Sequence, residues 1–189
     1  MRPLAWRLER AGIHVVRLGY ASTQQTIAQS VEEVGAHLVQ LAGASGGLRL
    51  VGHSLGGLIA ALLLRRRKDL PISSVVQIGS PNLGSSLANR IGGVWPVRRF
   101  CGPAVTELTA HDSRQITDPR IAAIAGTGGF GLAPLARPND GAVTVRSAWA
   151  GAGHRAAVPV LHTLMPASSR VAALVIAFLT HGHFGKANT

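Results

Sequence analysis

The sequence predicts an α/β fold in which a mostly parallel sheet is covered by helices on both faces. Short β-branched runs alternate along the chain with longer runs whose apolar residues recur every three or four positions. Strands that alternate with helices in this way form parallel sheets. The 189 residues suffice for one domain with a sizeable core, and 47% hydrophobic against 14% charged residues is typical of a folded chain.

Short apolar runs bounded by Gly or turn residues predict five strands: Ile13–Leu18, Leu48–Val51, Ser74–Ile78, Ile121–Ala125 and Ala156–Leu161. Apolar residues at helical spacing predict three main helices: Thr23–Leu41, a second that begins at Leu55, and a third that begins near Pro166, capped by Ser168 or Ser169. No repeat or linker divides residues 1–189, so one domain is expected.

Two irregular stretches interrupt the alternation, at 81–118 and 126–141. Both are rich in Gly, Pro, Ser and Asn. They follow the carboxyl ends of predicted strands, which is the edge where open α/β sheets place their sites. These stretches are therefore expected to shape a pocket or to cover it.

The formal net charge of +11 favours an anionic partner. The densest basic run, 65–68, follows a predicted helix, where cations complement the helix dipole. Other arginines are scattered and aromatic residues are few, so we expect transient contact with an anionic membrane surface and no nucleic acid partner. Nucleic-acid binding stays as a weaker alternative, which predicts an affinity that falls steeply with salt.

Cofactors, metals and membrane spans have no support in the sequence. Cys101 is the only cysteine, which excludes an internal disulfide and a cysteine-based metal site. The apolar run Val171–Leu179 is far shorter than the ~20 residues that span a bilayer. The first ten residues, MRPLAWRLER, lack the apolar core of a signal peptide.

A serine stands at the junction of a predicted strand and a predicted helix, within VGHSLGGLIA at 51–60. If the strand ends at His53 and the helix begins at Leu55, Ser54 is the whole connection. So sharp a turn forces unusual backbone angles, and Gly52 and Gly56 would leave room for it. The Leu55 N–H would then point toward developing negative charge, as in a nucleophile elbow. The alternative is an ordinary Gly-Ser helix cap.

A serine hydroxyl becomes a good nucleophile only when a base takes its proton and an acid orients that base. Four carboxyl side chains downstream are candidates for the acid: Glu107, Asp112, Asp118 and Asp140. Asp140 lies in a turn signal, RPNDG, after the strand predicted at 121–125. Asp112 and Asp118 lie in the irregular stretch before that strand, where solvated surface roles are favoured.

The base is best assigned to His162, which directly follows the last predicted strand and precedes the last helix. His154 precedes that strand and so would lie at the wrong end of the sheet. His53 is adjacent to Ser54, and its side chain is expected to point away from the serine.

Four motifs resemble the signatures of α/β-hydrolase fold lipases and esterases: GHSLGG at 52–57, GSPNLGS at 79–85, NDGAV at 139–143 and LHT at 161–163. The resemblance is closest to small bacterial triacylglycerol-lipase-like and GPI-inositol-deacylase-like members, and it runs in order through essentially the whole chain. It implies Ser54 as nucleophile, Asp140 as acid, His162 as base and the Leu55 N–H as one oxyanion donor. The implied activity is hydrolysis of lipid or other acyl esters without a cofactor.

The irregular stretch 81–118 carries apolar residues that could line an acyl pocket, or could simply pack at the surface. They are Leu83, Leu87, Ile91, Val94 and Trp95.

The resemblance also implies a missing element. In the family an earlier strand ends in a His-Gly turn that supplies a second oxyanion donor, whereas Met1–Leu8 resembles the helix after that turn. The chain is therefore expected to be a minimal, N-terminally truncated version, either with a start site assigned too late or as a degenerate fragment. A late start would also hide a signal peptide, so the compartment stays open, although the sequence as given favours the cytoplasm. The rival hypothesis is a catalytically impaired, α/β-hydrolase-like lipid-binding or interaction module.

Overall fold

The computed structural model describes residues 1–20, 25–45, 47–83, 117–129 and 138–185. Its helices are α1 (Arg2–Arg10), α2 (Ile27–Ser45), α3 (Leu55–Arg66), the short α4 (Val145–Ala148) and α5 (Ser169–His181), with a 3₁₀ helix at His162–Ala167. Its strands are β1 (Leu48–His53), β2 (Ile72–Ile78), β3 (Asp118–Gly126) and β4 (Ala152–Val158). Within the described residues the strands form one parallel sheet in the order β1-β2-β3-β4. The predicted α/β class is confirmed.

The sheet carries a separate hydrophobic core on each face, because successive strand residues point to opposite sides. Val75 of β2 packs with α2 and α3, whereas its neighbour Val76 packs with α1 and α5. Ile121 and Ala122 of β3 divide between the two cores in the same way. Helices therefore cover both faces, as predicted.

The helix ends follow from local sequence. Thr26 and Gln29 form a reciprocal capping box at the start of α2, since the Gln29 N–H donates to Thr26 Oγ1 and the Thr26 N–H donates to Gln29 Oε1. Ser168 caps α5 by accepting from the Val171 N–H, which confirms the expected serine cap. Gly182 ends α5 with a φ of 77°, in the left-handed region that glycine adopts without steric cost.

The strand predicted at Ile13–Leu18 is wrong. An apolar segment becomes a strand only where a neighbour pairs with its backbone, and no described residue pairs with this one. Ile13 and Val15 instead pack against the core between the sheet and α5, while Val16 and Leu18 are exposed. The short β-branched run between Gly12 and Gly19 predicts a strand, but it has no backbone partner among the described residues.

The last strand lies earlier than predicted. β4 spans Ala152–Val158, and it ends before Pro159, which has no N–H to donate to a ladder. His154 therefore lies inside β4, with its ring 5.2 Å from that of Phe178. Asp118 was expected in irregular structure, but it is the first residue of β3 and its carboxylate binds Arg120.

Several predicted features lie outside the described residues. They are Cys101, Glu107, Asp112, the possible pocket residues Leu87, Ile91, Val94 and Trp95, and most of the two irregular stretches. The basic run is described: Arg65 and Arg66 lie in the last turn of α3, as predicted, and Arg67 binds Asp69.

Among the residues that the structure describes, no helix combines the length and the apolar character needed to cross a bilayer.

Two valines of α2 test the packing of this helix on the sheet. Val31 is 3% exposed and Val39 is 50% exposed. We expect Val31→Ala to lower the free energy of unfolding by about 2 kcal/mol, from lost burial plus a residual cavity. Val39→Ala should change it by less than about 0.5 kcal/mol. Urea unfolding measures both, and equal losses would contradict the packing described here.

Candidate active site

Ser54 forms the whole connection between β1 and α3, as predicted. Its φ of 54° and ψ of −125° make it the one non-glycine residue with positive φ among the described residues. A backbone in this region costs about 1–3 kcal/mol and persists only when the surroundings impose it. Here the Ser54 N–H donates to the carbonyl of Ile78 at the end of β2.

The serine does not cap the helix that it precedes. Ser54 occupies the N-cap position of α3, but its side chain makes no capping hydrogen bond. The helix-cap alternative therefore fails, and the hydroxyl is left available. The Leu55 N–H belongs to the first turn of α3, whose donors have no acceptor inside the helix, and no hydrogen bond from it is found within the described residues.

The close approach of β1 and α3 depends on Gly52 and Gly57. A Cβ at Gly52 would lie 2.5 Å from the Gly56 carbonyl oxygen, and one at Gly57 would lie 2.8 Å from the Gly52 carbonyl oxygen and would collide with Ser80 Oγ. The prediction that Gly56 provides this room is wrong. Among the described residues, a Cβ at Gly56 would meet the Tyr20 hydroxyl alone, at an ordinary 3.6 Å.

The Asp140 carboxylate is buried in the turn that follows β3, with the residue 1% exposed. Its Oδ1 accepts from the backbone N–H groups of Ala142 and Val143, at 2.9 and 2.7 Å. Gly141, with a φ of 95°, lets the turn fold back over the carboxylate. The neighbouring Asn139 fixes the same turn, since its Oδ1 accepts from the Gly141 N–H. The acid is thus held by its own loop, and Oδ2 is left for another donor.

That donor is His162. Its Nδ1 lies 2.8 Å from Asp140 Oδ2, and the His162 backbone N–H donates to the Asp140 carbonyl at 2.9 Å. A carboxylate can only accept, so Nδ1 carries the proton and, in the neutral ring, Nε2 keeps its lone pair. The side chain of His162 is 15% exposed, which leaves the ring accessible from one side.

The chain after β4 reaches this position by crossing the ends of β3 and β2. A Cβ at Gly126 would lie 2.6 Å from the Val160 carbonyl oxygen, and one at Gly79 would lie 3.1 Å from His162 Nδ1 and from Asp140 Oδ2. The Gly128 N–H donates to the Val160 carbonyl. Val160 therefore lies over the end of β3, and His162 lies over the end of β2.

The crossing brings His162 to the end of β1, beside His53. The ring of His53, the residue before Ser54, has its centroid 4.6 Å from that of His162, and its Nε2 lies 3.0 Å from the His162 carbonyl oxygen. Ser54, Asp140 and His162 thus gather at the carboxyl edge of the sheet. Within the described part of the chain, no hydrogen bond joins the Ser54 hydroxyl to His162.

Sequence reasoning missed a buried pair of amides next to this site. Gln77 and Asn82 exchange two hydrogen bonds of 2.9 and 2.8 Å, and each also donates to a backbone carbonyl, of Gly57 and Ala148 respectively. The pair joins α3, β2 and α4. Asn82 lies in the GSPNLGS motif, but nothing in that motif indicates a partner 66 residues away.

His53 is electrostatically unusual. Burial, and then the nearby His162 ring, lower the pKa of His53 from 6.5 to about 4. His53 is therefore neutral at pH 7, with one ring N–H, and that proton must be on Nε2 because the nearby carbonyl oxygen can only accept.

Comparison with known proteins adds no identification. No protein-family model matches the chain, and no curated protein is significantly similar to it.

Within the described ranges, no group of three or more His, Cys, Asp and Glu side chains could hold a metal ion.

Adjacent glycines test the packing of the turn. Gly57→Ala should lower the free energy of unfolding by about 1–3 kcal/mol, because the new methyl group meets backbone that cannot move freely. Gly56→Ala should be neutral or slightly stabilising, since the space is open and Ala favours a helix. Urea unfolding measures the free energy of unfolding of both variants. A larger decrease for Gly56→Ala than for Gly57→Ala would refute the close packing described for Gly57.

The lowered pKa of His53 predicts acid sensitivity between pH 6.5 and 4. In this range the unfolded chain binds a proton at His53 that the folded chain does not, so stability is full above pH 6.5 and falls as the pH drops toward 4. The loss from this group is at most about 3 kcal/mol, reduced by partial solvent screening. Unfolding free energies measured against pH should fall less steeply in His53→Gln. The exposed His14→Gln should follow the wild type, and parallel curves for all three proteins would contradict the assignment.

Proposed function

We propose that the protein is a serine hydrolase of α/β-hydrolase fold that cleaves carboxylic esters. The observation that carries the proposal is the Asp140–His162 pair held over the strand ends, with the His162 ring against His53, the residue before Ser54. Three side chains from separate connections converge at the carboxyl edge of a parallel sheet, where such folds bind ligands. The strained backbone of Ser54 supports the proposal further, since strain of this kind clusters at functional sites.

In the proposed reaction the Ser54 hydroxyl attacks the ester carbonyl and gives its proton to Nε2 of His162. Asp140 holds the ring in the Nδ1–H tautomer and stabilises the positive charge that His162 acquires. The tetrahedral intermediate collapses to an acyl-enzyme, and the alcohol leaves with the proton from Nε2. Water, deprotonated by His162, then attacks the acyl group, and the acid is released from a regenerated Ser54.

The negative oxygen of the intermediate needs donors that are already in place. The Leu55 N–H is such a donor, because it lies at the start of α3 directly after Ser54 and has no hydrogen-bond partner among the described residues. The helix dipole adds partial positive charge at the same point. One donor of this kind contributes about 3 to 4 kcal/mol of transition-state stabilisation.

Apolar acyl groups are the substrate class that the surroundings favour. Leu161 and Leu164 stand on either side of His162 in sequence, and both are exposed, Leu164 to 55%. Exposed leucines beside a reactive group favour an apolar substrate portion. The net charge of +11 would draw the protein toward an anionic lipid surface, and that contact is part of the proposal.

A fluorophosphonate probe tests the nucleophile. The wild type should form a covalent adduct at Ser54, with loss of fluoride, and Ser54→Ala should form none. Asp140→Asn should slow labelling and ester hydrolysis by about 10³-fold or more, because the ring loses its tautomer and its counter-charge. Intact-protein mass spectrometry and turnover of short-chain p-nitrophenyl esters are the measurements.

Matched controls are available at exposed positions of the same residue types. Ser169→Ala and Asp69→Asn should both behave as the wild type, since neither lies at the site. A folded wild type that is neither labelled nor active would reject the enzymatic proposal. Binding to lipid vesicles without ester turnover would then support the non-catalytic module.

A further inference from the structure

His53 occupies a position between the two halves of the proposed site. It is the last residue of β1, so its backbone leads directly into Ser54. Its ring lies beside the ring of His162, and its Nε2–H donates to the backbone carbonyl of His162 at 3.0 Å. Its side chain thus joins the strand that leads into Ser54 to the segment that bears His162.

The His162 residue is fixed on two sides. Asp140 holds it on one side, through the side-chain contact of 2.8 Å and through its own carbonyl, which accepts from the His162 N–H. His53 holds the opposite end of the same residue, at its carbonyl oxygen. The contacts from Asp140 fix the base relative to the acid, whereas the contact from His53 ties the base to the strand that leads into the serine.

We propose that His53 is a positioning residue, whose Nε2–H and ring set the distance between the Ser54 hydroxyl and the His162 imidazole. The inference rests on the proposed hydrolase function. Within the described residues His53 makes no hydrogen bond with the Ser54 hydroxyl or with Nδ1 of His162, so it acts through the backbone and the ring of the base. A misplacement of about 1 Å in such a site can cost about 100-fold in rate.

The neutrality of His53 fits this role. Its pKa of about 4 keeps the ring uncharged while His162 gains a proton during the reaction. A second cation at a ring separation of 4.6 Å would oppose that protonation. Asp140, on the far side of His162, is the carboxylate that faces the pair.

Two substitutions test the Nε2–H donor and the aromatic ring of His53 separately. His53→Phe keeps an aromatic ring and removes the Nε2–H, whereas His53→Gln keeps an N–H at similar reach and removes the ring. We expect His53→Phe to lower kcat for a p-nitrophenyl ester and the rate constant of fluorophosphonate labelling by about 10- to 100-fold, with KM nearly unchanged. His53→Gln should recover a large part of both rates. His154→Phe, in β4 away from the site, is the matched control and should keep the wild-type rates.

A proton NMR measurement tests the positioning of His162 by His53 without ester turnover. The downfield His162 Nδ1–H signal should persist in the wild type and in Ser54→Ala, and it should broaden or shift in His53→Phe but not in His154→Phe. If His53→Phe does not fold, as judged by circular dichroism, His53→Leu takes its place, since it also lacks the donor.

Unchanged rates and an unchanged Nδ1–H signal in His53→Phe would overturn the proposal. A change confined to KM would overturn it too. So would equal losses of rate in His53→Phe and His53→Gln that are proportional to their losses of stability. If the folded wild type is not labelled, the hydrolase function fails separately. The NMR comparison then still decides whether His53 holds His162.

Discussion

The arrangement at the sheet edge depends on one close approach, in which the backbone after β4 runs directly over the ends of β3 and β2. β1 and β4 are the outer strands of the described sheet, and strands lie about 4.8 Å apart, so groups that follow them begin about 14 Å from each other. The crossing segment removes that separation. It passes so close to Gly126 that a Cβ there would lie 2.6 Å from the Val160 carbonyl oxygen, and a Cβ at Gly79 would meet the His162 and Asp140 side chains at 3.1 Å.

Buried amide side chains with hydrogen-bond partners also stabilise this edge. The amides of Gln77 and Asn82 bind each other and also the carbonyls of Gly57 and Ala148. A buried amide without partners would be costly, so such a pair tolerates few other arrangements. The pair fixes the start of α3 against α4, which follows Asp140 in the chain. The serine and the acid therefore lie on elements that are held in a fixed relative position.

Local patterns predicted much of this structure. The 3.6-residue spacing of apolar residues located the buried faces of α2, α3 and α5, and the apolar run before Ser54 located β1. Ser54 and His162 could be chosen because each directly follows a predicted strand, and Asp140 because it lies in a turn signal. These features are encoded within a few residues of one another, which is why a single sequence reveals them.

The predictions that were wrong, and the contact that was missed, depend on residues that are distant in sequence. The segment Ile13–Leu18 has the pattern of a strand, but pairing needs a partner that local sequence does not reveal. Gly56 and Gly57 look alike in sequence, and only the packing of β1 against α3 shows that Gly57 is the crowded one. The contact of His53 with His162 spans 109 residues, and no spacing rule anticipates it.

The strand order has a consequence for biosynthesis. The described strands are arranged across the sheet in the order in which the ribosome makes them, so β1 and the strained turn at Ser54 are complete long before β4. Domains generally fold as units, and His162 comes after the last strand of the described sheet. A nascent chain that ends within β4 therefore carries Ser54 without His162. The edge is complete only once His162 has been made, and a polypeptide released before that point is inert toward esters under the proposed mechanism.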